Sequence, residues 1–202
     1  MGLCLLSSVD TPTPLQPEID PALLLRAQAG DAAAFGDLMR SHHAYTYRLV
    51  YAIVRHEQDA RDICQEVWLT VWRQLGSFRS DARFTTWLHP IAVRRALDHL
   101  RKRRRWYDRF LPFATGDATI ESVPEPAGDD GRQQTEGSER SARFQRLIDA
   151  LPAKQRTILA LREVQGLSYD EIAHATGIPA GTVMSRLYHA RRILAQKLKD
   201  NP

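Results

Sequence analysis

The chain has 202 residues, a net charge of +4 from 28 Lys and Arg against 24 Asp and Glu, and 43% hydrophobic residues, which excludes global disorder and suits one or two small domains. No apolar run approaches the roughly 18 residues that span a bilayer, and the opening MGLCLLSS has neither the basic start of a secretory signal nor, with Leu6, the Ser or Thr of a myristoylation pattern. Cys4 and Cys64 form no disulfide framework and no metal-ligand spacing, so a reduced, cytoplasmic setting without metal or cofactor is expected.

Residues 1–19, rich in Ser, Thr and Pro, read as a flexible leader. Asp20 and Pro21 make a helix start, a capping acid followed by the residue best suited to the first helical position. Gly30 and Asp31 read as a stop and a fresh cap for a long helix over residues 32–54, which buries Phe35, Leu38, Met39, Leu49, Ile53 and Val54. Between residues 59 and 75, Ala60, Ile63, Cys64, Val67, Trp68, Val71, Trp72 and Leu75 recur at the spacing of one helix face. Asp62, Gln65, Glu66 and Arg73 occupy the opposite face, and Gly76 with Ser77 ends the helix. A polar segment then leads through Phe84 and Trp87 into a basic helix reaching Arg105. Pro90 interrupts that helix. An interior Pro costs roughly 3 kcal/mol, so a kink or a shifted start near His89 is predicted.

Residues 112–140 hold Pro, Gly, Gln and acids without periodicity and read as an acidic, flexible linker. Helical pattern returns with Phe144, Leu147, Ile148 and Leu151, then Ile158, Leu159, Leu161 and Val164. The expected fold is all-α: two small helical domains, at 20–111 and 141–202, joined by that linker. Charge follows the same division. Residues 1–75 carry −3, 76–110 carry +7, 113–140 carry −5 and 141–202 carry +5.

LSYDEIAHATGIPAGTVMSRLYHARRILAQKL is the most specific segment. Ser168 and Glu171 form a capping box, Gly177 permits a left-handed turn, Pro179 suits the next helix start, and Val183 packs back. That is a helix-turn-helix, whose second helix places side chains on base edges and phosphates of the major groove. The candidates on it are Thr182, Met184, Ser185, Arg186, Tyr188, His189, Arg191 and Arg192.

HEQDARDICQEVWLTVWRQLGSFRSDARFTTWLHPIAVRRALDHLRKRRR resembles the second region of bacterial RNA polymerase sigma factors of the extracytoplasmic-function group. ALPAKQRTILALREVQGLSYDEIAHATGIPAGTVMSRLYHARRIL resembles their fourth region, and the two segments span about 95 residues in the family's order. The resemblance implies a non-enzymatic, promoter-reading subunit that binds core RNA polymerase at its β′ clamp and β flap. It implies that Asp62, Gln65 and Glu66 dock on the clamp. It also implies that the region around residues 78–83 and the following helix capture an unpaired −10 strand. The DNA-contact candidates there are Phe78, Arg79, Arg83, Phe84, Arg94, Arg95, Asp98, Arg101, Arg103 and Arg104.

A single strand is held by a basic groove with aromatic platforms, each stack worth roughly 1–3 kcal/mol. Trp87, like Trp68 and Trp72, is expected in the core, while Phe78 is open between core and platform. The linker either threads along the polymerase channel or simply tethers. Arg94 stands where the family commonly has Asn, and Met184 and His189 stand where it has basic residues. An anti-sigma protein is an expected partner. The rival readings are a stand-alone helix-turn-helix regulator and a nucleic-acid enzyme, the latter without clustered carboxylates, His-metal spacing or a phosphate loop in the sequence.

Overall fold

The computed structural model describes residues 19–79, 82–110 and 146–200, and the expected leader, the expected linker, Ser80, Asp81 and Phe144 lie outside them. All regular structure among the described residues is helical. The helices are α1 (Pro21–Gln28), α2 (Ala32–Val54), α3 (Glu57–Gln74), α4 (Phe84–Phe110), α5 (Ala153–Leu159), α6 (Tyr169–Thr176) and α7 (Ala180–Asp200). A 3-10 turn at Leu75–Ser77 closes α3, and a π-helical turn at Ala160–Val164 continues α5.

The helix starts are written in local chemistry. The Asp20 carboxylate accepts from the Ala22 N–H at 2.9 Å ahead of Pro21, and Asp31 accepts from Ala33 and Ala34 at 2.9 and 3.1 Å. Each bond satisfies a donor that a helix N-terminus leaves open. α3 begins two residues before the expected Asp59, because the His56 ring nitrogen Nδ1 accepts from the Asp59 N–H at 3.3 Å and caps it.

α2, α3 and α4 pack around Leu38, Leu49, Ile53, Ile63, Val67, Val71, Leu88 and Val93, all buried. Each such side chain contributes about 1.5–3 kcal/mol on leaving water. α4 starts at Phe84 and runs through Pro90, so the predicted shifted start is not found. Burial of Leu88, Ala92, Val93 and Ala96 on both sides of the proline offsets the missing hydrogen bond.

The C-terminal helices pack against this bundle and share its core, a contact the sequence did not announce. Its centre is Arg156, a charged residue only 2% exposed. Nε donates to the Ile53 carbonyl at 2.8 Å, and Nη1 donates to the carbonyls of Asp149 at 3.2 Å and Leu151 at 3.5 Å. Ile53 lies in the last turn of α2, where carbonyls lack helical partners and the helix dipole is negative. A guanidinium is matched to that end in hydrogen bonding and in charge. Beside it Arg55, the left-handed C-cap of α2 with φ 58°, sends Nε to Asp149 Oδ1 at 2.5 Å.

Candidate nucleic-acid and polymerase interfaces

The 3-10 turn after α3 is pinned by Gln28, whose Nε2 donates to the carbonyls of Leu75 at 3.2 Å and Phe78 at 2.8 Å. This turns Phe78 inward. Its ring meets Phe84 edge-on at 5.8 Å and Trp87 at 5.3 Å, and Phe84 meets the ring of His42 at 5.2 Å. Phe78 and Phe84 are 6% and 4% exposed. They build the core beneath the segment and offer no free face to a base, which corrects their place among the DNA contacts. Trp87, expected in the core, is the half-buried member of the trio.

The arginines fall into two sets. Arg79, Arg83, Arg94 and Arg101 are exposed. Arg101 shares its charge with Asp98 at 2.7 Å, one turn away on α4. Arg95 donates to Thr70 Oγ1 at 2.9 Å and lies 3.7 Å from Glu66, bridging α4 to α3. Arg103, half-buried, reaches Asp59 at 3.1 Å, where the His99 ring also stands at 3.2 Å. Arg103 therefore ties α4 to the start of α3, a structural task that the basic run in the sequence conceals. Arg104 is half-buried as well.

Asp62, Gln65 and Glu66 are exposed together on α3, with Asp62 accepting from Gln58 at 3.1 Å. Leu69, 56% exposed, and Trp72, 40% exposed, extend the same face. Trp72 is thus not the core residue that periodicity predicts. Its ring leans on Phe35 at 4.7 Å and leaves its other side to solvent. The signal was present in the sequence: α3 carries more large apolar side chains than one buried stripe accommodates.

The helix-turn-helix forms as expected. The Ser168 N–H donates to Glu171 Oε2 at 2.8 Å and the Glu171 N–H to Ser168 Oγ at 3.3 Å, a closed capping box. Gly177 takes φ 68°, and its N–H reaches the Ala173 carbonyl at 2.9 Å. Pro179 sits just outside α7, its carbonyl accepting from Thr182 and Val183. Val183, Leu187 and Ala190 face inward, while Met184, Ser185, Tyr188, His189, Arg191 and Arg192 are exposed and Thr182 and Arg186 are half-buried. Ser185 spends its hydroxyl proton on the Thr182 carbonyl at 3.0 Å, and Arg191 pairs with Glu163 of the π turn at 2.8 Å.

A buried polar pair joins α2 to α4. Tyr45 Oη and His89 Nε2 are hydrogen-bonded at 2.8 Å. Burial pushes the His89 imidazole down to about 4, with Glu171 pulling weakly the other way, so the ring is neutral near pH 7. Burial raises the Tyr45 phenol. The Ser168 backbone N–H, then its side chain, hold the Glu171 carboxyl below its usual value, and the charges of His89 when protonated and of Arg83 act in the same direction. Glu171 of the helix-turn-helix therefore feels two residues of the α4 segment. Burial also lifts the Cys64 thiol to about 12, which makes it an inert core residue.

The family model described as Sigma-70 region 2 matches residues 38–106, and that described as Sigma-70, region 4 matches residues 141–194. RNA polymerase sigma-H factor of Pseudomonas aeruginosa is 36% identical over 193 residues, covering 92% of this chain and 96% of that protein. ECF RNA polymerase sigma-E factor of Escherichia coli is 34% identical over 183 residues, covering 89% and 94%. The solved structure of CnrH in complex with the cytosolic domain of CnrY shares the fold, with a TM-score of 0.61 and 22% identity over 90% of this chain and 97% of that one. With two region matches in the family's order and relatives aligned along nearly their whole length, this chain belongs to the sigma-70 family of RNA polymerase sigma factors, in its extracytoplasmic-function group.

Proposed function

We propose that the protein binds core RNA polymerase and directs promoter-specific initiation. In this reading α7 enters the −35 duplex, and the start of α4 with the loop before it traps the −10 strand. The observation that carries it is the pairing of two basic faces, the exposed Arg79, Arg83, Arg94 and Arg101 on one unit and the exposed Arg191 and Arg192 with half-buried Arg186 on the other, within a sigma-family chain. Phosphate neutralisation supplies affinity, and base edges in the groove supply sequence choice.

The acid-and-amide face of Asp62, Gln65 and Glu66, widened by Leu69 and Trp72, is the polymerase contact, an apolar centre with a polar rim. Strand capture then rests on Arg79, Arg83 and Arg94 beside the half-buried Trp87. The division into units at 20–111 and 141–202, joined by a tether at 112–140, accompanies this reading. So do a cytoplasmic site of action and an anti-sigma protein as an inhibitory partner.

Run-off transcription with purified core polymerase tests the reading. A promoter-dependent transcript that appears only when the protein is added supports it. A protein that binds an operator but yields no transcript is a stand-alone regulator.

A further inference from the structure

We propose that Met184 and Tyr188 form an apolar reading edge on α7 that recognises thymine methyl groups in the duplex this helix enters. The proposal rests on the promoter-binding reading above and names what that surface selects.

Met184 and Tyr188 are four residues apart, one turn along the same helix face. They are 50% and 62% exposed, while Val183, Leu187 and Ala190 fill the inner face at no more than 2%. Core packing therefore accounts for neither side chain. A single exposed apolar residue needs no explanation. Two in register at the outward centre of a recognition helix make a continuous apolar strip, and the polar groups around it are partly committed. Ser185 has given its proton to the Thr182 carbonyl at 3.0 Å, and Arg186 is half-buried. The Tyr188 ring is steadied by the His189 ring at 5.5 Å.

The occupant follows from charge and chemistry. α7 carries Arg186, Arg191, Arg192, Lys197 and Lys199 and no acid before Asp200, so its field favours a polyanion. In the major groove the base edges present donors, acceptors and one apolar group, the C5 methyl of thymine. A flexible thioether adapts to such a methyl, and a phenol ring covers a neighbouring one with its face. The chain thus selects an upstream element by thymine at the positions facing residues 184 and 188.

The test uses holoenzyme reconstituted from core polymerase and the full chain, with a promoter duplex it selects. Each dT of the upstream element is replaced in turn by dU, which removes only the methyl, and Kd is read by fluorescence anisotropy. One or two dU positions should weaken wild-type binding roughly 3- to 5-fold each, the effect of one lost buried methyl. Met184→Ala should bind dT and dU probes equally at one of these positions, Tyr188→Ala at the other, and Met184→Leu should keep the discrimination. Both residues are exposed, so the variants fold. Wild-type binding indifferent to every dU, or discrimination undiminished in both alanine variants, overturns the proposal. Holoenzyme that binds selected and scrambled duplexes alike overturns the promoter reading itself.

Discussion

Arg156 Nε donates to the carbonyl of Ile53 at 2.8 Å, joining two residues 103 positions apart and two helical units through one buried guanidinium. Replacing it with Met keeps the bulk but strands the carbonyls of Ile53, Asp149 and Leu151. A buried acceptor without a donor costs about 1–3 kcal/mol, and partial rehydration keeps the total from tripling. Arg156→Met should therefore lose roughly 2–4 kcal/mol in urea denaturation. Arg156→Lys keeps the charge at the end of α2 without the planar fork, and should recover only part of that loss. A Met variant as stable as wild type would show that the contact is incidental.

Acid should weaken the fold through His89. Its folded value is near 4 against an ordinary 6.5, so the unfolded chain takes up a proton that the folded one refuses. Stability from this group is complete above pH 6.5 and is lost as pH falls toward 4, by about 3 kcal/mol across that window. Glu171 opposes by favouring the charged ring, but its own lowered value adds a further loss at the acid end. Thermal unfolding scanned from pH 7.5 to 4.5 should show Tm falling below pH 6.5. In His89→Gln, which has no titrating group there, the slope over pH 6.5–5 should be clearly flatter.

The parts of the structure legible in sequence are those governed by neighbours along the chain. Asp20 with Pro21, Asp31, Ser168 with Glu171, and Gly177 each act within four residues, and each cap stands where its chemistry places it. The buried face of α3 was legible for the same reason, since helical spacing aligns Ile63, Val67 and Val71. What stayed hidden depends on partners far along the chain. Nothing in the sequence singles out Arg156, because its acceptors are backbone carbonyls, which no side-chain pattern reports. Arg103 reads as one more phosphate contact until Asp59 is seen opposite it. Phe78 looks available beside Arg79 until Gln28 is found fixing the turn that points it inward.

Docking on polymerase should depend on the apolar part of the α3 face as well as on its polar part. Trp72 is 40% exposed and backed by Phe35, so it is a rigid anchor that needs little ordering on binding. Trp72→Ala should weaken binding to core polymerase about 10- to 100-fold, in the range of a contact hot spot. Glu66→Gln, on a residue already shared with Arg95, should cost less. Titration of labelled protein with core enzyme measures both. Equal affinity in the Trp72 variant would return the contact to the polar residues alone.

The division among the α4 arginines separates melting from folding. Arg94 and Arg101 are exposed, and Arg101 pairs with Asp98 in an exposed pair of small worth. Arg94→Ala with Arg101→Ala should leave Tm and core binding near wild type while reducing open complexes at least 10-fold, read by permanganate reactivity of unpaired thymines. Two lost phosphate contacts also lower the salt slope of promoter binding by about two. Arg103→Ala should behave in reverse. It removes the partner that Asp59 shares with His99, in a half-buried site, and should lower stability by about 1–2 kcal/mol. Its melting activity should persist at temperatures where it is folded. If Arg103→Ala abolished open complexes without a change in Tm, the residue would belong with the phosphate contacts, and the polar ties between α4 and α3 would rest on Arg95 with Thr70 and Glu66 and on His99 with Asp59.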